Sequence, residues 1–353
     1  MRPDDGFRHL LVPYDAERDL LGTVVPYLRA GQAAGHAVVL LCRDRLNRSL
    51  ARRLDAPVEW LDRESVFTRP AAAAAAYRHL AMRRLGDGAR RVLVAGEAGF
   101  DGGQERGAVF EAIADVVLSA LPVDALCLYD GGVPPGAVRT HPLVLTGDGA
   151  APNPRYAGPA EVLREVAGLR GDLSVAGPPA HESGALYRIG DVADMRRRLR
   201  AWLATLPAPV AVRSDFVAAV GEVAANALRH GRPPVLLRVW VRPDRLVCTV
   251  VDQGHGFDDP LTGLPPHGDP WRPGGGLWLV RQVCDEFDTG RTEEGFVVRL
   301  AARSGPLDHS RLIQGARARA ENASARAHRA QSRVDRLQRH LEAGGGAGKP
   351  GDR

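Results

Sequence analysis

The stretch 222–277 constrains this chain more than any other, because three short patterns follow one another there in a fixed order. In the first, Glu222 and Asn226 stand four residues apart in a segment with helical periodicity, so they share a face, one turn apart. Val217, Val220, Ala224 and Leu228 are expected to supply the apolar side of that helix. A carboxylate and a carboxamide presented together suit one task. The amide oxygen can coordinate Mg²⁺ on a triphosphate, and the carboxylate can orient or deprotonate an attacking hydroxyl or water. In the second pattern a β-rich run ends at Asp252, with Gly254 and Gly256 behind it. An acid at a strand end can accept the exocyclic amine of adenine, and glycines let a base or ribose approach the backbone. The third, Gly274, Gly275, Gly276 and Leu277, opens a helix, with Arg272 just before it. Free N–H groups at a helix N-terminus, at the positive end of its dipole, form a phosphate site, and Arg272 adds charge there. Each pattern alone is common on protein surfaces. In this order, each on the element it requires, the three reinforce one another.

The 353 residues leave room for a second domain of ordinary size. Over 7–171, short apolar runs alternate with longer amphipathic ones, the rhythm of an α/β domain with a mostly parallel sheet. Strands are expected at 10–13, 37–42, 58–61, 92–95 and 125–129, and amphipathic helices over 20–28 and 109–121. Residues 172–186, with Gly177, Pro178, Pro179 and Gly184, read as a linker. Over 187–302 the pattern predicts an α+β sandwich with one sheet under its helices. Its parts are a helix capped by Asp191, another capped by Ser214 and closed by Gly231, two strands turning at Pro243 and Asp244, a Gly/Pro-rich loop, a helix from about Gly276, and closing strands near Phe287 and over 296–300. Residues 303–353, rich in Ala and Arg, read as an exposed helix with a disordered end.

Composition excludes several classes. A hydrophobic share of 44% with 25% charged residues is that of a globular chain, neither disordered nor fibrous. The net charge of +5 is carried almost wholly by arginine, Lys349 being the single lysine, and a tail of mixed sign is weak evidence for nucleic acid, so DNA binding is not expected. Acidic Asp4 and Asp5 stand where a signal peptide needs positive charge, and the alanine tract at 71–76 is too short to span a bilayer. A cytoplasmic protein without membrane partners is expected. Cys42, Cys127, Cys248 and Cys284 form no C-x-x-C pair and have no histidine at ligand spacing, so they read as buried thiols in a reducing compartment.

Taken together, the three patterns resemble the GHKL, or Bergerat-type, ATPase family: Glu222 to Asn226 its N box, Asp252 to Gly256 its G1 box, Gly274 to Leu277 its G2 box. The resemblance implies that Asn226 holds Mg²⁺, that Asp252 holds the adenine, and that Gly254, Gly256, Gly274, Gly275, Gly276 and Leu277 contact the nucleotide. The short lid, with strands directly after it, is similar to that of anti-sigma-factor serine/threonine kinases. That likeness implies Glu222 as general base, a STAS-type anti-sigma-factor antagonist as substrate, a sigma factor as sequestered partner, and a possible homodimer. A sensor histidine kinase would need a helical hairpin bearing the phosphoacceptor, whereas His181 sits in the Gly/Pro linker. An unorthodox histidine kinase, or an ATP-gated binding module without phosphotransfer, is the alternative.

The N-terminal half resembles the MEDS sensory domain through Phe7, Arg8, His9, Tyr14, Gly96, Glu97, Tyr129, Asp130, His141 and Pro142, in the order found in RsbA-type anti-sigma regulators. That implies a RecA-like fold without a P-loop, since no G-x-x-x-x-G-K-S/T occurs and no lysine could complete one. His9 and Glu97 are equally readable as ligand contacts or as satisfied structural polar groups.

Overall fold

In the computed structural model, residues 6–97, 99–100, 104–169, 173, 184–206, 208–242, 244–265 and 275–303 are described. The N-terminal part runs β1 (Arg8–Tyr14), α1 (Glu17–Ala33), β2 (Ala37–Leu41), α2 (Asp44–Ala51), β3 (Glu59–Trp60), α3 (Arg63–Val66), α4 (Pro70–Gly86), β4 (Val92–Gly96), α5 (Gln104–Val117), β5 (Val123–Asp130), α6 (Pro135–Thr140), β6 (Leu143–Thr146), β7 (Gly149–Pro152) and α7 (Pro159–Leu169). Its strands form one sheet in the order β3-β2-β4-β5-β1-β6-β7, parallel throughout except for the β6–β7 hairpin. The inner strands are buried on both faces, which is why they read as unbroken apolar runs. On β2, Val38 and Leu40 pack with Leu20, Val24 and Leu28 of α1 and with Leu46 and Leu50 of α2. Val39 and Leu41 face the other way, onto Ala74 and Tyr77 of α4 and Phe110 and Ile113 of α5. The alanine tract lies in α4, where Ala71, Ala73, Ala74 and Ala75 are buried. Small side chains there let α4 lie close against its neighbours.

The second part runs β8 (Gly184–Ile189), α8 (Val192–Leu203), α9 (Val210–His230), β9 (Val235–Arg242), β10 (Arg245–Asp252), α10 (Gly276–Val283), β11 (Glu286–Thr292) and β12 (Gly295–Arg303). Its sheet, β11-β12-β10-β9-β8, is antiparallel at every pairing. Met195 and Leu199 of α8, Phe216 and Val220 of α9 and Val280 of α10 share one core with Val239, Cys248 and Leu300 from the strands. Asp191 does cap α8, its carboxylate accepting from the Asp194 N–H at 2.6 Å.

Three expectations need correction. Ser214 is not a cap: α9 starts at Val210, directly behind Pro209, whose φ of −55° already suits a helix start. Leu228 does not pack on the sheet; it is 39% exposed, because the last turn of α9 is turned to solvent, and Phe216, Ala219, Val223 and Ala227 fill the core instead. β8 begins at Gly184, inside the stretch expected as linker. Arg272, Gly274 and the tail from 304 onward lie outside the described residues. Among the described residues no helix is long and apolar enough to cross a membrane, and all four cysteines are buried free thiols.

The two parts meet along α4, α5 and α10. Trp278 of α10 and Leu264 join the N-terminal core around Phe110 and Ile113. Beside them the Arg106 guanidinium of α5 donates to the Asp285 carboxylate at 2.8 Å.

Candidate nucleotide site

β10 carries Asp252 to the end of a buried strand, and the acid itself is only 6% exposed. Its Oδ1 accepts from the Gly254 N–H at 2.6 Å and from the Arg232 N–H at 3.3 Å. Among the described residues no donor reaches Oδ2. One oxygen is thus fixed by backbone, and the other is left for a donor arriving in the cavity that Asp252 lines. The fit depends on glycine: a β-carbon at Gly231 would lie 2.4 Å from Oδ1, and one at Gly254 2.7 Å from it.

Gly256 turns the chain away from the strand with φ +63°, and a β-carbon there would lie 2.1 Å from the Phe296 ring. Phe296 and Phe257, their ring centroids 5.2 Å apart, give the cavity an apolar wall suited to a flat base.

On α9, Glu222 and Asn226 look into the same cavity from adjacent turns. The backbone of Gly276, opening α10, approaches Glu222 so closely that a β-carbon would meet Oε2 at 2.5 Å. The helix bearing the acid and the amide therefore faces the glycine-opened helix across the site. Arg196, from α8, lies 3.4 Å from Glu222 Oε1. Arg229 points at the Asn226 Oδ1 from 3.5 Å.

The loop after Gly256 is tied down by Arg281 of α10. Its guanidinium donates to the Pro260 carbonyl at 2.7 Å and to the Thr262 carbonyl at 2.9 and 3.0 Å, and lies 4.3 Å over the Phe287 ring. Burial pushes the Arg281 guanidinium down to about 10, with Asp288 and Asp259 opposing, so it keeps its charge at neutral pH. Gly263, at φ +84°, rests against Leu277.

These walls enclose about 1000 Å³, large enough for a nucleotide. Glu222, Asn226, Asp252, Gly256, Gly275, Gly276 and Leu277 all line the cavity. Gly254 stands behind it, its N–H spent on Asp252. The residues fit ATP with Mg²⁺: a free carboxylate oxygen for the adenine amine, an apolar wall for the base, a carboxamide for the cation, a carboxylate for an attacking hydroxyl, and helix N–H groups for phosphate.

Five contributors carry no local signal in the sequence. Gly231 looked only like a helix cap. Arg196 and Arg281 sit in ordinary amphipathic helices. Val116 and Ser119, from the N-terminal part, also reach the cavity wall, which no local pattern could announce.

Residues 187–302 match the family model of the histidine kinase-like ATPase domain, and residues 8–142 match that of MEDS, the methanogen/methylotroph, DcmR sensory domain. The crystal structure of the RsbU and RsbW domains of Rv1364c from Mycobacterium tuberculosis is similar over 34% of this chain and 32% of that one, at 20% identity and a TM-score of 0.26. The match thus spans about a third of that protein chain. No curated protein is matched.

Proposed function

Because the chain joins a MEDS sensory domain to a histidine kinase-like ATPase domain, we propose that it is an ATP-dependent regulator in which the N-terminal domain controls a serine/threonine kinase of the anti-sigma-factor type. Its substrate is a STAS-type anti-sigma-factor antagonist, and its sequestered partner is a sigma factor. One observation carries the reading: Glu222 and Asn226 face the Gly276 helix start across a cavity that Asp252 also lines.

The residues take these roles. Asp252 accepts the adenine amine through Oδ2, with Gly254 and Gly231 holding the carboxylate in place. Gly256 leaves room beside Phe296 for the base. Asn226 holds Mg²⁺, which when bound neutralises phosphate charge. Gly275, Gly276 and Leu277, with Arg272 and Gly274 ahead of them, receive the phosphates at the α10 N-terminus. Glu222 accepts the proton of the attacking hydroxyl. Such a transfer depends mainly on positioning and charge neutralisation, which this arrangement supplies.

The parallel sheet, with β1 inside it and helices on both faces, supports a RecA-like reading of the sensory half. Without a P-loop lysine, that half is not a second ATP site of the usual kind. Such a regulator acts in the cytoplasm and is able to pair as a homodimer, without membrane or direct nucleic-acid partners.

The Arg196 guanidinium beside Glu222 favours a second reading, an ATP-gated binding module, since a cation there competes for the lone pair that a general base needs. Affinity capture with and without ATP, followed by phosphosite mapping of the recovered proteins, separates the two. A phosphorylated serine or threonine on a captured antagonist supports the kinase. ATP-dependent capture with no phosphosite supports the gated module.

A further inference from the structure

Four side chains of ligand type, far apart in sequence, converge in the core of the N-terminal domain: His9 on β1, Glu111 on α5, Cys127 on β5 and His141 just after α6. All four are buried, and one donor atom of each lies within 4.8 Å of the others. Cys127 therefore stands alone along the chain but not in space.

Three of the separations are those of a coordination shell. His9 Nε2 lies 3.4 Å from Cys127 Sγ, Cys127 Sγ 3.5 Å from Glu111 Oε2, and His141 Nε2 3.4 Å from Glu111 Oε2. A tetrahedral zinc ion with bonds of about 2.0–2.3 Å sets its donors about 3.3–3.7 Å apart. His9 Nε2 to Glu111 Oε2 is shorter, at 2.6 Å, a pair that shares a proton when no cation separates it.

Outer atoms of three of the four are fixed by other groups. His9 Nδ1 is bonded to Asp115 at 2.8 Å, and His141 Nδ1 lies 2.7 Å from the Ala137 carbonyl. Glu111 Oε1 accepts from the Tyr129 hydroxyl at 2.8 Å. Both imidazoles thus aim Nε2 inward with Nδ1 engaged by an acceptor, the arrangement that orients histidine for a metal. Among the described residues, no hydrogen-bond partner reaches His141 Nε2, although the side chain is fully buried. A buried ring nitrogen left that way is unusual unless something else takes its lone pair.

We propose that His9, Glu111, Cys127 and His141 form a zinc site. Two neutral imidazoles, a carboxylate and a thiolate balance the charge of Zn²⁺. Loading releases the Cys127 thiol proton and the proton shared by His9 and Glu111. With four protein donors the site is closed, hence a structural or regulatory centre. The ion ties α5 to β1, β5 and the α6 end, and α5 is the helix whose Arg106 reaches Asp285 beside the nucleotide domain.

The test is metal analysis of the full-length chain purified without chelators or metal-affinity resin. One zinc per chain is expected, falling to a small fraction in Cys127→Ser and His141→Ala and unchanged in Cys248→Ser, which alters a buried thiol in the other domain. Should the first two variants fail to fold, wild-type protein stripped with a chelator and refilled with Co²⁺ carries the test. A thiolate-to-cobalt charge-transfer band with tetrahedral ligand-field absorption is expected. Folded wild-type protein that holds no zinc and gives no such band on cobalt addition overturns the proposal, as does a Cys127→Ser variant with undiminished metal content.

Discussion

Arg106 and Asp285 lie in different domains, yet their charged ends meet at 2.8 Å with side chains only 10% and 7% exposed. Asp285 follows α10, the helix opened by the glycines of the candidate nucleotide site, and also accepts from the Arg303 N–H at 2.7 Å, with Arg69 3.8 Å away. Two guanidinium groups, Arg106 of α5 and Arg69 just before α4, and one backbone N–H of β12 therefore converge on one acid behind the candidate nucleotide site. Removing one partner of a buried pair costs more than the pair contributes, because the other charge is stranded. Since Asp285 keeps other partners, Arg106→Met is expected to cost about 1–3 kcal/mol. Thermal unfolding should show a lowered midpoint; an unchanged midpoint would remove this pair as a link between the domains.

Trp278 extends the same contact through packing. It is 7% exposed and belongs to the core formed by α4 and α5. Truncating a buried Trp typically costs about 3–5 kcal/mol. Trp278→Ala should therefore loosen the domain contact. Hydrogen exchange is expected to rise in α4 and α5 as well as in α10; a rise confined to α10 would show that the domains are not coupled there.

Glu222→Gln separates binding from transfer. The amide keeps the shape of the side chain and loses the ability to accept a proton. Nucleotide affinity should stay within a few-fold, while phosphotransfer to the proposed antagonist falls by about 10²–10⁴, the usual contribution of a general base. Undiminished transfer would assign the proton to another group.

Gly256→Ala probes the close approach to Phe296. The residue sits at φ +63°, where an L side chain costs about 1–2 kcal/mol, and the added methyl meets the ring. Overpacking adds about 1–3 kcal/mol. Denaturant unfolding should show the sum as a lowered midpoint together with weaker nucleotide binding. A neutral substitution would mean that the turn is not packed as described.

Those elements with a strong local rhythm were legible in the sequence. The inner strands of the first sheet, buried on both faces, stand out as apolar runs, and α8 announces itself through Asp191 and its apolar positions. The hairpin β6–β7 was missed because its strands are only four residues long and all of β7 is exposed, leaving no alternation to detect. β8 was hidden by the glycines and prolines before it. The three patterns of the candidate nucleotide site stand out because they are compact, and folding brings residues of all three to one cavity. The site's supports do not stand out: Gly231, Arg196 and Arg281 matter only through distances that folding creates. The same holds for His9, Glu111, Cys127 and His141, one buried cluster whose members are spread over much of the first domain.

The central claim is that Asp252 reads the adenine amine. In Asp252→Asn the amide oxygen remains bound by the Gly254 and Arg232 N–H groups, so an NH₂ donor faces the cavity and opposes the donor of the base. Isothermal titration of the full-length chain with ATP and Mg²⁺ should give saturable one-site binding, weakened about tenfold to a hundredfold in this variant, the worth of about 1–3 kcal/mol for one buried hydrogen bond. Absence of binding heat in the wild-type chain, or equal affinity in the two proteins, would contradict the account.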